Sequence, residues 1–335
     1  MLVYIADEAS PVVTRYKNIG ELDFDVNLLL TCTGKVQSRA RILSKACKAL
    51  NPRSVFVDSG AFIYQAKYFK HGVRPTVSEV EESVKAHFGS CYWLWKNGYP
   101  LKAVAEMDVP MLWDKGGHEI VSRWRHKYAY PFQEETDIPV VIAWHGGIPF
   151  QQFLDEERNL RYVGVSIFDK KRLIAEKFGS VARYYDNMAL YIRDCYRSDI
   201  LVHGYAVTRT DALKRIPFYS VDSITWQGAV HFGNAIAFDK KTGNMIRADI
   251  GKGIVKKKGA RAVAKNILKL RRAGSKLSTL DAIGRTNVKG RPRADHIALF
   301  KDQAKVFDTM GIWFTKYWER KGVDWSVVEK AQGVA

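Results

Sequence analysis

Cysteine is scarce in this chain and poorly spaced for metal. The four cysteines, Cys32, Cys47, Cys91 and Cys195, stand 15, 44 and 104 residues apart, so no C-x-x-C pair exists. That argues against a zinc site built on paired thiolates and against a disulfide framework, and leaves reduced, buried thiols as the expectation. Long apolar runs are missing too: none approaches the ~20 residues of a membrane helix. The N-terminal stretch MLVYIADEAS has acids early and lacks the basic start of a signal peptide. Cytoplasmic residence with no membrane partner is therefore expected. A glycine fingerprint after the first apolar run is also lacking, since no glycine occurs before Gly20. This disfavours an open dinucleotide-binding sheet.

Acids are nearly absent from one stretch. Residues 240–293 carry seventeen Lys or Arg against two acids, Asp249 and Asp281. The whole chain, at 335 residues and 47% hydrophobic, has a net charge of +18, so most of the excess sits in this segment. The length is ample for a buried core. The concentrated charge points to a polyanionic partner, nucleic acid before others. Lys256, Lys257, Lys258, Arg271 and Arg272 are the candidate contacts.

Short β-rich runs recur at residues 2–5, 26–30, 54–57, 102–107, 139–143, 162–166, 200–204 and 219–222. Most are apolar almost throughout, as strands covered on both faces must be. Helical patterns lie between many of them, in SRARILSKACKAL, in VSEVEESVKAHFGSCYWLWKNG and in KKRLIAEKFGSVARYYDNMALYIRDCYRS. In the last, Ile174, Phe178, Val181, Tyr185, Met188, Ile192 and Cys195 form one apolar stripe. Eight strands alternating with helices predict a single α/β domain folded as a (β/α)8 TIM-type barrel. Residues 227–293 then read as a basic insertion between the last strand and a last amphipathic helix bearing Phe300, Phe307, Phe314 and Trp318.

In such a barrel the chemistry gathers at the C-terminal ends of the strands. The third predicted strand ends in Asp58-Ser59-Gly60, the fourth in Glu106-Met107-Asp108, the fifth in Trp144-His145-Gly146-Gly147. The sixth offers Gly164-Val165-Ser166, the seventh His203-Gly204-Tyr205 and the eighth Asp222-Ser223. One aspartate alone is as readily a turn former or helix cap; several on successive strand ends imply a site. Paired carboxylates divide glycosidic chemistry between a nucleophile and a proton carrier, and a further carboxylate accepts hydrogen bonds from the N–H edge of a heterocycle. Beside a basic nucleic-acid surface, that set suggests base exchange at a nucleoside carbon. Trp144, Trp226 and Tyr205 stand beside these positions, with base stacking and core packing both open to them.

At these residues the chain resembles the tRNA-guanine transglycosylase superfamily. DSGAF (58–62) is similar to the family's D-S-G-G-F-Q, YSVDSITW to the stretch holding its nucleophile, and GNAIAFDKKTGNMIR (233–247) to the segment that follows. EMDVP, WHGG and YVGVS match three further strand ends, with His145 where the family has glutamine. The family's C-x-C-x-x-C…H zinc motif is absent, so no metal or other cofactor is expected. Lacking zinc and being very basic, the chain is most similar to phage enzymes that insert 7-deazaguanines into DNA. The resemblance implies Asp222 as nucleophile, Asp58 as proton carrier and Asp108 as reader of the guanine edge. Ser59, Gly60, Phe62, His145, Gly146, Gly164, Val165, His203 and Gly204 are expected around the base. It implies DNA and a small deazaguanine such as preQ0 as partners. The same exchange on tRNA, a barrel that only binds nucleic acid, and a sugar glycosidase are the alternatives, the last leaving the basic segment without a purpose.

Overall fold

Strands wedged between a barrel interior and an outer helical layer must be apolar on both faces, and the sequence supplies eight of them. A computed structural model describes residues 1–8, 26–31, 36–144, 150–157, 159–166, 178–223, 233–250, 252–279, 285–286, 292–293 and 296–333. The strands are β1 (Leu2–Glu8), β2 (Asn27–Thr31), β3 (Ser54–Asp58), β4 (Leu101–Ala105), β5 (Val140–Trp144), β6 (Tyr162–Ser166), β7 (Leu201–Tyr205) and β8 (Ser220–Ser223). Each runs parallel to its neighbours. β8 pairs back onto β1 from Leu2 opposite Ser220 to Ile5 opposite Ser223, closing an eight-stranded barrel. With helices between the strands, this is the (β/α)8 architecture that the strand count predicts.

The main helices cover this wall from outside. Val36–Leu50 packs on Val77–Lys96, which opens on a capping box: Thr76 accepts from the Glu79 amide at 3.2 Å, and Glu79 accepts from the Thr76 amide at 2.7 Å. The long apolar stripe after β6 is real but shorter than its pattern suggests. Gly179 takes a φ of +77° and Ser180 caps a helix confined to Val181–Arg197, whose Tyr185, Met188, Ile192 and Cys195 are buried; Ile174 lies outside the described residues. β4 also stops early, at Ala105, because Glu106 turns into a buried ion pair described below. His296–Glu319 buries Phe300, Phe307, Phe314 and Trp318 as expected, yet it is not the final helix. Trp325–Ala331 follows it toward the N-terminal ends of the strands, where Glu329 meets Tyr219 and, at 3.3 Å, Lys102.

The basic segment is built on its own small scaffold. Strands β9 (Asn234–Asp239) and β10 (Asn244–Asp249) form an antiparallel hairpin, followed by the helix Lys252–Arg272. Ala235, Ala237, Ala248 and Ile250 of the hairpin segment meet Val263, Ile267 and Leu270 of the helix in a second apolar cluster, joined by Leu299. Gly243 closes the hairpin at a φ of +64°, and a Cβ there would lie 2.2 Å from the Trp313 ring. Lys214 and Trp313 tie the hairpin to the rest of the fold through Asn244, Thr242 and Lys240, and a buried amide adds a further tie. Gln303, 0% exposed, accepts from the Ile236 amide at 2.8 Å and donates to the Ile236 carbonyl at 3.0 Å, standing in for a neighbouring strand. Gln303→Leu removes both partners from buried backbone groups and is expected to cost about 2–4 kcal/mol. Urea denaturation measures it, and a loss below about 0.5 kcal/mol contradicts this role for the amide.

Candidate active site

Alternation decides what faces the barrel interior. On β3, Phe56 points inward, and so does Asp58 two residues on; on β8 the inward pair is Ser220 and Asp222; on β7 it is His203 and Tyr205. Phe56 and His203 meet edge to face at 4.8 Å, with Tyr4 at 5.5 Å from Phe56 and Tyr162 at 6.4 Å from His203. These rings floor the barrel beneath its C-terminal mouth, and Asp58 and Asp222 stand on that floor at the ends of their strands.

Asp58 is held from two sides. Its Oδ2 accepts from the Thr31 hydroxyl at 2.8 Å, at the matching position of β2, and from the Gly60 amide at 3.3 Å. Burial raises its pKa above the ordinary carboxylate value; the charge of Asp222 adds to that and the Thr31 hydrogen bond opposes it. Asp222 receives two donors on one oxygen: its Oδ1 takes His203 Nε2 at 3.1 Å and the Ala206 amide at 2.8 Å. Ala206 adopts a left-handed φ of +55°, unusual for a residue with a Cβ, so the turn after β7 is strained where it aims its amide at this carboxylate.

His203 is part of a longer chain. Its Nδ1 lies 2.6 Å from the Ser220 hydroxyl, and Ser220 in turn contacts the Tyr162 hydroxyl. One assignment of the protons satisfies the set: Tyr162 donates to Ser220, Ser220 to His203 Nδ1, and His203 Nε2 to the Asp222 carboxylate. Burial pushes the Tyr162 phenol well above its usual pKa, keeping it a donor. His203 is 0% exposed with both nitrogens engaged. Its expected contact with a base is thus replaced by a positioning contact with Asp222.

Tyr205, two residues after His203, sets its ring edge to face on that imidazole at 4.8 Å. Burial, then the charges of Asp108, Asp58, Glu106 and Asp222, push its phenol up. That ring lies on Gly164, where a Cβ would sit 2.3 Å from it. Gly164, expected beside a base, is covered by Tyr205 in this conformation. Asp108 follows β4, and its carbonyl accepts from Gln65 at 2.8 Å. Glu106 serves elsewhere: Arg125 grips both its oxygens, at 2.6 and 2.9 Å, and also pairs with Glu157, while Glu106 Oε1 accepts from the Ala143 amide on β5. His87, whose pKa burial and then the charge of Arg39 lower to about 3, places Nε2 at 2.8 Å from the Ala105 carbonyl. These buried polar ties pin the β4 end beside Asp108.

The other predicted residues divide. Ser59 is buried, its hydroxyl accepting from the Ala61 amide at 3.4 Å, and Gly60 takes a φ of +78° at the same turn. Phe62 stands 67% exposed on the first turn of the helix Ala61–His71. Val165 and Gly204 face the wrong way for a base: each alternates with an inward residue, and a Cβ on Gly204 would meet Phe218 and Val207 at 3.1 Å. His145 and Gly146 lie outside the described residues, as do Trp226 and the side chains of Lys256, Lys257 and Lys258. Arg271 and Arg272 are exposed on the helix Lys252–Arg272, where Arg261, Lys265, Leu268 and Arg272 recur at intervals of 4, 3 and 4 on the outer face. Trp144 packs edge to face on Phe150 at 4.9 Å and Tyr191 at 6.2 Å. Thr31, Tyr162, Ser220 and Arg125 escaped sequence reasoning; Thr31 alone left a signal, as the polar end of an apolar run.

Among the described residues no cluster of His, Cys, Asp and Glu has the arrangement to hold a metal ion, and no helix is long and apolar enough to cross a membrane. Comparison with models of known protein families, with curated proteins and with solved structures gave no match to this chain. What the site offers chemically is two carboxylates in one mouth, one oriented by donors and one biased toward its acid form.

The raised pKa of Asp58 has a stability consequence. A carboxyl that holds its proton more tightly when folded favours the fold below the unfolded carboxylate pKa of about 3.9, and loses that contribution as pH rises through the folded value. Asp58→Asn keeps an acceptor for Thr31 without the charge. It is expected to raise the Tm by about 2 °C near pH 8 and by less near pH 4. A lower Tm at both pH values, read by scanning calorimetry, contradicts the assignment.

Proposed function

We propose that the protein is a pentosyltransferase that exchanges guanine in DNA for a 7-deazaguanine of the preQ0 type, through a covalent aspartyl–nucleotide ester. What supports this reading is the pairing of Asp58 and Asp222 at the ends of β3 and β8, close enough for one charge to raise the pKa of the other, in a chain whose motifs resemble the guanine transglycosylases in order and spacing. A target nucleotide first leaves the stack, at a cost of a few kcal/mol. The Asp222 carboxylate, steadied through Oδ1, attacks C1′. The C1′–N9 bond breaks as the new C1′–O bond forms, and Asp58 in its acid form supplies the proton that leaves with guanine. In the second half a 7-deazaguanine gives its N9 proton to the Asp58 carboxylate, its nitrogen takes C1′, and Asp222 is released. One glycosidic bond replaces another, so the exchange balances without ATP or a redox partner. Asp108 accepts from the N1 and exocyclic amine edge of the base. For the base to lie on Gly164, the Tyr205 ring moves aside and stacks on it.

Charge points to a polyanion, DNA and tRNA alike. Arg261, Lys265 and Arg272 line one exposed face of a helix whose opposite side is held by the second apolar cluster, and none of them forms an ion pair among the described residues. Such a row tracks a phosphate backbone.

Two experiments test the reading. Wild-type protein with labelled guanine and duplex DNA should exchange label and leave a denaturant-stable protein–DNA adduct. Asp222→Asn should lose the adduct and slow exchange by about 10³-fold or more. An adduct that survives in that variant removes Asp222 as nucleophile, and label entering tRNA instead of DNA reassigns the substrate. Separately, replacing Arg261, Lys265 and Arg272 together by Gln should flatten the slope of log K against log salt by about 2–3. An unchanged slope returns that face to ordinary solvated surface.

A further inference from the structure

The helix Ala61–His71 packs Tyr64 and Tyr68 against the core and turns Phe62 and Phe69 to solvent. It begins three residues after Asp58, and four of its eleven residues are Phe or Tyr, yet Ala61 is its one buried residue. Its polar side holds it in place. Tyr64 meets Ser83 at 2.5 Å, Gln65 donates to the Asp108 carbonyl at 2.8 Å, and Tyr68 accepts from Arg74 at 2.9 Å. Its apolar side faces water: Phe62 is 67% exposed and Phe69 70%, with Val73 just beyond the Gly72 cap at 54%. Phe62 and Phe69 are seven residues apart, so they share one face about 10 Å apart along the axis. A helix anchored through Tyr64, Gln65 and Tyr68 that still presents two phenylalanines to solvent is shaped to bind something.

Charge names the occupant. From Ser59 to Ser78 there is no acid, while Lys67, Lys70 and His71 lie exposed around Phe69. Exposed aromatics interleaved with cations suit a polyanion that carries flat faces, that is, nucleotides out of the duplex stack. We propose that this ledge, with Phe69 at its outer end, takes an unpaired base flanking the nucleotide in the mouth. The inference rests on the nucleic-acid reading above and deepens it. Phe69 lies outside the reaction itself, and Lys67 and Lys70 accompany it on the backbone.

The test uses the full chain and a fluorescently labelled DNA duplex with three unpaired nucleotides at its centre, alongside the fully paired duplex. Phe69→Ala should weaken binding to the unpaired probe about tenfold, leave the paired duplex nearly unaffected and keep the salt slope unchanged, because no charge is removed. Phe69→Trp should restore affinity. Equal affinity of Phe69→Ala and wild type for the unpaired probe overturns the ledge while leaving the transglycosylase reading intact, as does an equal loss on both probes. A dimer of the wild-type protein that Phe69→Ala splits, seen by light scattering, assigns the ledge to a second copy of the chain. Failure of the wild-type protein to bind either duplex ends both readings.

Discussion

Two carboxylates stand at one barrel mouth above a floor of aromatic rings, and each must be compensated there for the water it has lost. An uncompensated buried charge is far costlier than any single contact the site makes. Asp222 is met by an imidazole and by a backbone amide; Asp58 is met by a hydroxyl and an amide and is biased toward its acid form. Much of the surrounding structure is organised around that compensation. Ala206 accepts a left-handed backbone to aim its amide, and Tyr162, Ser220 and His203 are stacked so that each donor points toward Asp222. The inequality between the two acids is what fits them to different parts of one proposed exchange.

Beyond the two aspartates, the buried charge of Glu106 is paired and the exposed charges lie on the outer elements. Arg125 satisfies Glu106 and Glu157, which fixes the end of β4 against β5. The hairpin and basic helix dock through their own apolar cluster and the Gln303 amide, leaving the cationic face unopposed. The ledge after β3 is likewise anchored by polar contacts and free on its aromatic side. The proposal makes one substrate span all three: the paired acids at the mouth, the cationic helix face and the aromatic ledge.

The barrel itself was legible because burial on both faces leaves its mark residue by residue. All eight strands appear where near-continuous apolar runs place them, and Asp58 and Asp222 fall at strand ends as their positions after Phe56-Val57 and Ser220-Val221 suggest. The same property hid which way each side chain points. In a strand apolar on both faces, nothing in the sequence distinguishes His203 from Gly204, or Gly164 from Val165, as the inward residue. The chain from Tyr162 to Ser220 bridges 58 positions, and the Arg125 cluster joins three separate segments. Contacts of that range follow from barrel closure and leave no local pattern. The helix break at Gly179 shows the reverse error: one apolar stripe runs across a residue whose backbone cannot continue the helix.

The most direct test is the mass analysis of nucleosides from DNA and tRNA of cells that express this chain and are supplied with a 7-deazaguanine base. The account predicts a deazaguanosine in the deoxynucleoside fraction, present with the wild-type chain and absent without it. Unmodified guanine in both pools, under conditions where the folded protein accumulates, would contradict it.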